Sequence, residues 1–279
     1  MPMVKVNNVG LFYQIQGNAQ GETVVFVNGL LTDAASWAQH VPAFSKGYRV
    51  VTYDCRGQGQ SDKPDQTYYT SLHAQDLLGL MDALEIDRAH LVGLSNGGAA
   101  VLQFAVDNPE RANSLVLVDA YARVDAILKA KLQSWVAAME AGGSPLRFDV
   151  ATPYVWGGSF LERNLETLST FREKGRNLPI TPAKNLIQGA MVHDCLDRLG
   201  EIKAPVLLVV GEEDILTPVK YSRAIQDRVA GVELAIIKDA GHASCLEKAA
   251  EFNQIVLDFL ARRGAAATKN QAFGNRSAT

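Results

Sequence analysis

Along the 279-residue chain, short runs of consecutive apolar residues alternate with longer stretches in which apolar positions recur every three or four residues. The first pattern is that of strands buried on both faces and the second that of helices with one apolar stripe. Their alternation predicts an α/β fold, a mostly parallel sheet covered by helices on both faces. The interior-type runs are TVVFVN (23–28), YRVVTYD (48–54), AHLVGLS (89–95), SLVLVDA (114–120), PVLLVVG (205–211) and VELAIIK (232–238). LFYQIQ (11–16) alternates apolar and polar residues instead, as one of one or two antiparallel strands at the amino-terminal edge.

Helices are predicted over 34–45, 70–84, 97–107, 219–229 and 247–262. In the second, Leu72, Leu77, Leu80, Met81 and Leu84 keep the helical spacing. The alternation breaks after Asp119, where about 85 residues pass before the next strand, against the usual four to six or so of a connection. Within that gap Leu128, Leu132, Trp135, Val136 and Met139 form one stripe ended by GGSP. Leu161, Leu165, Leu168 and Phe171 form a second, and a third spans 183–195. The expected organisation is a core of residues 1–120 and 191–263, a helical cap over 121–190 inserted above the carboxyl ends of the sheet, and a disordered tail at 264–279.

A hydrophobic fraction of 47% with 20% charged residues is that of a globular protein, and a net charge of −3 provides no basic field for nucleic acid. No run reaches membrane-spanning length, and the amino terminus lacks the apolar core of a secretory signal. The expectation is a cytoplasmic protein whose partner is a small molecule, without nucleic acid or membrane, and with a homodimer left open as its assembly. Cys55, Cys195 and Cys245 have no metal or redox spacing and read as reduced, buried thiols.

Gly93-Leu94-Ser95-Asn96-Gly97 fits G-x-S-x-G, three fixed positions that mean little alone. Here an interior strand ends at Gly93 and a helix begins near Gly97, so Ser95 falls on a sharp turn at the carboxyl edge of the sheet. A serine hydroxyl needs a base to become a nucleophile. Of five histidines, His242 alone follows the last interior strand in a glycine-flanked loop; His40, His73, His90 and His193 read as structural. Its imidazole needs a carboxylate to fix the tautomer, and VVGEEDILTP (209–218) places Asp214 in a loop at the same edge. Glu212, Glu213 and Asp119 remain alternatives. Oxyanion donors are the N–H groups of Asn96 and of Leu30, which follows Gly29 in the loop after strand 23–28.

These motifs, in the order serine, acid, histidine across residues 4–262, resemble the α/β-hydrolase fold superfamily, and YDCRGQGQSDKP (53–64) is similar to its strand-four segment D-x-R-G-x-G-x-S. Asp54, Arg56, Gly57, Gly59 and Ser61 are assigned to a structural turn, with Arg56 pairing a nearby carboxylate. Most relatives carry His-Gly where this chain has Asn28-Gly29. Asn in that position, followed by LLTDAASW, is similar to the 3-oxoadipate enol-lactonases, which carry N-S-L-G-T-D.

The resemblance implies a serine esterase or lactonase acting on a small, largely apolar substrate through an acyl-enzyme. Ser95, His242 and Asp214 would be catalytic, and Trp37, Trp135, Tyr154 and Trp156 would wall the pocket. A substrate bearing a free carboxylate would also need a cation, for which the cap offers Arg123, Arg147, Arg163, Arg172 and Arg176. The same site would serve carbon–carbon bond hydrolysis, thioester cleavage or perhydrolysis, and a ligand-binding protein without turnover is the non-enzymatic alternative. No cofactor or metal is expected, since no phosphate loop, dinucleotide fingerprint or metal-ligand spacing occurs.

Overall fold

Side-chain parity along the interior strands sorts their residues into two apolar layers. Val25 and Val27 pack with Leu77, Leu80 and Phe104 on one face, while Val24 and Phe26 pack with Phe44, Phe252 and Phe259 on the other. Leu115 and Leu117 against Val116 and Val118, and Val206 and Leu208 against Leu207 and Val209, divide in the same way. A run apolar at every position is therefore the sequence of a strand buried twice over.

The computed structural model describes residues 2–274, and side chains for residues 2–263. Eight strands form one sheet: β1 (Met3–Val6), β2 (Val9–Gly17), β3 (Thr23–Val27), β4 (Arg49–Tyr53), β5 (Ala89–Leu94), β6 (Ala112–Val118), β7 (Val206–Gly211) and β8 (Glu233–Ile237). Their order is β1-β2-β4-β3-β5-β6-β7-β8, with β2 antiparallel to both neighbours and all other pairs parallel. Helices α2 (Thr70–Ala83), α3 (Asn96–Asp107) and α8 (Val219–Gln226) cover one face; α1 (Val41–Phe44) and α10 (Ala249–Gly274) cover the other. Between β6 and β7 lie α4 (Ala126–Val155), α5 (Gly158–Arg163), α6 (Leu165–Lys174) and α7 (Ile180–Ala190), and α9 (Ser244–Glu247) follows β8.

Several elements differ from the sequence expectation, each for a local reason. Predicted helix 34–45 is a 3-10 turn, Ala34–Trp37, capped by the Asp33 carboxylate, followed by the four-residue α1 with Pro42 in its first turn. Run 232–238 is an edge strand and not an interior one. Among the described residues β8 pairs only with β7, and Ile236 is 44% exposed.

GGSP does interrupt α4, where Gly142 and Gly143 leave helical geometry, Gly143 at φ +70°. The chain then re-enters a helix with Pro145 in its first turn and continues to Val155. That second half has two prolines and no clean apolar period, which hid it. The stripe from Leu161 to Phe171 is two helices, broken at Asn164, and α7 ends at Ala190, before His193. α10 runs through Gly274 into the stretch expected to be disordered, where Ala265, Ala266 and Ala267 are strong helix formers; residues 275–279 lie outside the described residues.

The register matters for function. Val27 pairs Gly93, Leu94 pairs Val118, Val118 pairs Val209 and Gly211 pairs Ile237, so the parallel strands end level with one another. Loops leave one edge of the sheet side by side, and Leu30, Ser95, Asp214 and His242 are on them.

Candidate active site

Ser95 separates β5 from α3 and adopts φ +54°, ψ −118°, a conformation that L residues rarely take. Its N–H donates to the Val118 carbonyl at 2.8 Å, and its own carbonyl accepts from Ala99 at 3.0 Å, so strand and helix both clamp the turn. Two glycines make the turn sterically possible. A Cβ at Gly93 would sit 2.5 Å from the Gly97 carbonyl oxygen, and one at Gly97 would collide with the Val27 carbonyl.

His242, in the loop after β8, has Nε2 2.9 Å from Ser95 Oγ and Nδ1 2.9 Å from Asp214 Oδ2. All three are buried. Asp214 is held by its own loop, since Oδ1 accepts the N–H groups of Leu216 and Thr217, both at 2.8 Å. Burial works to lower the His242 pKa. The Asp214 carboxylate, helped by Asp119 and Glu247, outweighs burial and holds the imidazole above its ordinary 6.5.

The other carboxylates have different partners. Asp119 accepts from Gly211 and Ser244, Glu212 from Asp239 N–H, and Glu213 from Ser159 N–H, so none bonds His242. Thr217, which sequence reasoning passed over, has its hydroxyl 2.9 Å from His242 Nδ1 and 2.8 Å from Asp214 Oδ2. Its signal was present as threonine three residues after the aspartate, the spacing of a side-chain-capped turn.

A cavity of about 110 Å³ opens onto Ser95 and His242. Leu30, Thr32, Leu128, Leu132, Leu216 and Leu246 line it together with Trp135 and Trp156. Of the four aromatic residues expected there, Trp135 and Trp156 are on its wall, and Tyr154 and Trp37 are not. Tyr154 packs within the cap, its ring centroid 5.8 Å from Lys131 Nζ. Trp37 is 1% exposed, its ring tilted against Phe26 with centroids 4.7 Å apart, and its indole N–H donates to Asn28 Oδ1 at 2.9 Å, which turns the ring into the core.

Asn28 in turn donates to the Tyr53 carbonyl at 2.9 Å, so the residue that departs from His-Gly ties two strand ends together. Leu30 lies on the cavity wall. Asn96 Oδ1 accepts from Tyr121 and Thr70. Among the described residues, no backbone carbonyl accepts the N–H of Leu30 or of Asn96.

Leu128 and Leu132, legible in the sequence only as a helix face, roof this site together with Trp135. None of the five cap arginines reaches the cavity wall. Arg123 pairs with Asp194 and Asp197, Arg172 with Asp149, and Arg176 with Glu173; Arg163 is exposed. Arg147 is in no ion pair among the described residues, and burial pulls its guanidinium pKa down to about 10. Arg56 forms the expected carboxylate pair, its Nε and Nη2 2.7 and 2.6 Å from Asp76, beneath the β4 turn. Among the described residues no three His, Cys, Asp or Glu side chains gather as a metal site, the three cysteines are buried and unpaired, and no helix is long and apolar enough to cross a membrane.

A serine on a strained strand-to-helix turn, followed in chain order by an acid and a histidine on neighbouring loops of a mostly parallel sheet, defines a class of fold. Residues 22–249 match the family model for the alpha/beta hydrolase fold, and the chain belongs to that family. It is 32% identical over 256 residues to RutD of Variovorax paradoxus (strain S110), provisionally named a carbamate hydrolase, covering 90% of this chain and 96% of the relative. It is 31% identical over 257 residues to 3-oxoadipate enol-lactonase 1 of Acinetobacter baylyi, covering 90% and 92%. The crystal structure of the enol-lactonase from Burkholderia xenovorans LB400 superposes with a TM-score of 0.87 at 29% identity, covering 93% of this chain and all of that one.

Proposed function

We propose that this chain is a serine hydrolase that cleaves a carboxylic ester or lactone of a small, uncharged, largely apolar substrate through an acyl-enzyme. The observation that carries the reading is the unbroken row from Ser95 Oγ through His242 to Asp214, each step 2.9 Å, at the floor of an apolar cavity. Ser95 Oγ attacks the carbonyl as its proton passes to His242 Nε2. Asp214 holds the Nδ1 proton in place and stabilises the imidazolium, and the N–H groups of Leu30 and Asn96 take the oxyanion. His242 returns the proton to the leaving alkoxide. Water, activated by the same imidazole, then releases the acid.

The absence of any cap arginine from the cavity wall favours neutral acyl groups over carboxylate-bearing lactones such as 3-oxoadipate enol-lactone. The likeness to RutD keeps a carbamate carbonyl as the second reading, since the same attack suits it.

The test is hydrolysis of a panel of p-nitrophenyl esters of graded chain length, neutral lactones, a carboxylate-bearing lactone and a carbamate, by wild type and Ser95→Ala, with fluorophosphonate labelling read by intact mass. Turnover of the neutral substrates should fall by roughly 10⁴- to 10⁶-fold in the variant, with labelling lost. A wild type that neither turns over nor labels would overturn the reading in favour of ligand binding. Preference for the carbamate would move the substrate class and leave the chemistry intact.

A further inference from the structure

One fully buried carboxylate has no part in that chemistry. Asp119 follows β6 directly, is 0% exposed, and adopts φ +48°, a left-handed conformation uncommon outside glycine. Its Oδ1 accepts the Gly211 N–H at 2.9 Å; its Oδ2 accepts the N–H of Ser244 at 3.1 Å and pairs with the Ser244 hydroxyl at 2.7 Å. Gly211 is where β7 ends and the loop to Asp214 begins, and Ser244 is two residues beyond His242. The Asp119 carbonyl also lies 2.9 Å from the Thr217 hydroxyl, the group that touches both Asp214 and His242. The Asp119 N–H, finally, donates to Val209 of β7 at 2.8 Å. One residue thus grips the acid loop and the histidine loop together.

We propose that Asp119 is a positioning residue of the Ser95–His242–Asp214 row: its carboxylate sets the acid loop against the histidine loop, and its negative charge strengthens His242 as a base. The inference rests on the hydrolase reading for its kinetic consequence, but not for its electrostatic one.

Two buried carboxylates close to one imidazole repel each other, and the arrangement persists because hydrogen-bond donors converge on both. Asp214 accepts two backbone N–H groups besides His242. Asp119 accepts two more, with the Ser244 hydroxyl beside them. Burial, and then Asp214, push the Asp119 pKa up, against His242, Ser244 and Gly211, which oppose the rise. The charged or titratable groups facing His242 are Asp214, Asp119 and Glu247. Those facing Asp214 include Lys131 and Tyr221, and Cys245 faces Asp119.

The experiment is an NMR titration of the histidine rings in wild type and Asp119→Asn, with His242 assigned by the resonance missing from His242→Gln. Asparagine keeps the acceptor for Gly211 and nearly the same volume while removing the charge. The His242 midpoint should fall by on the order of half a unit to one unit, as expected for loss of one nearby charge. Alongside, kcat on the best ester should fall about tenfold, with KM held within about twofold and the acid limb of the pH profile moved by the same amount.

A midpoint that stays put in a folded Asp119→Asn protein overturns the proposal, whatever happens to activity. A midpoint that falls in a protein without turnover upholds Asp119's charge role and removes the hydrolase reading. If Asp119→Asn does not fold, the wild-type Asp119 carboxyl ¹³C resonance decides. A carboxylate ionised throughout the His242 transition, with an inflection at the His242 midpoint, supports the proposal, and one protonated across that range overturns it.

Discussion

At Ser95 the backbone, more than the hydroxyl, is the unusual feature. A non-glycine residue at φ +54°, ψ −118° carries on the order of 1–3 kcal/mol of strain, borne here because strand, helix and two glycines leave the turn no other path. Ser95→Gly and Ser95→Ala both lack the nucleophile, so comparing them isolates that strain. Glycine elsewhere costs about 0.5–1 kcal/mol relative to alanine. At this position it should gain about 1 kcal/mol, and Ser95→Gly should melt roughly 2–4 °C above Ser95→Ala in calorimetry. A lower melting point for the glycine variant would show the turn to be unstrained. Ser95, Asp214 and His242 were legible in the sequence because each follows an apolar strand in a loop at the same edge. Trp37 was not, since nothing in its neighbourhood reveals that Asn28 captures its indole N–H and draws the ring into the core.

The elements divide by how much of their pattern is local. Interior strands announce themselves because burial on both faces requires apolar residues at every position. β8 carried the same signature yet lies at the edge, its flank guarded by Arg262 and Arg263 paired with Glu233. Strand order, unlike strand existence, is not written in periodicity. The cap helices were partly legible as stripes, but their docking depends on contacts that no spacing encodes.

Gly189 of α7 is such a contact. A Cβ there would collide with the Tyr68 carbonyl oxygen, on the segment whose N–H donates to Asn185 of the same helix at 3.3 Å. Gly189→Ala, which would stabilise an isolated helix by up to about 1 kcal/mol, should instead cost about 1–3 kcal/mol by forcing α7 off the core. Urea unfolding measures the sign directly, and a stabilised variant would mean that the helix has room to move.

For the molecule as a whole, acid is the condition under which its buried histidines become a liability. His73 is 2% exposed, neither ring nitrogen has a hydrogen-bond partner among the described residues, and burial drives its pKa down to about 4 despite Asp76; His193 is likewise held to about 4 by burial. The unfolded chain binds a proton at each near pH 6.5, whereas the folded chain does so only near 4, so stability is lost as the pH falls from about 6.5 through about 4. Asp54, Asp119 and Glu247, whose pKa values burial raises, take up protons earlier in the folded state and work in the opposite direction. The histidine contribution must therefore be isolated by substitution. In His73→Leu the unpaired nitrogens are gone, so the variant should be more stable than wild type at about pH 7 by about 1–3 kcal/mol, the cost of an unsatisfied buried polar group. Its advantage should then widen by on the order of 2 kcal/mol by about pH 4.5, because wild type alone must keep an imidazole neutral that water would protonate. Urea midpoints for the two proteins at both pH values give the comparison. A constant difference would mean that His73 is protonated inside the fold and has found an acceptor there, Asp76 being the carboxylate whose charge acts on it.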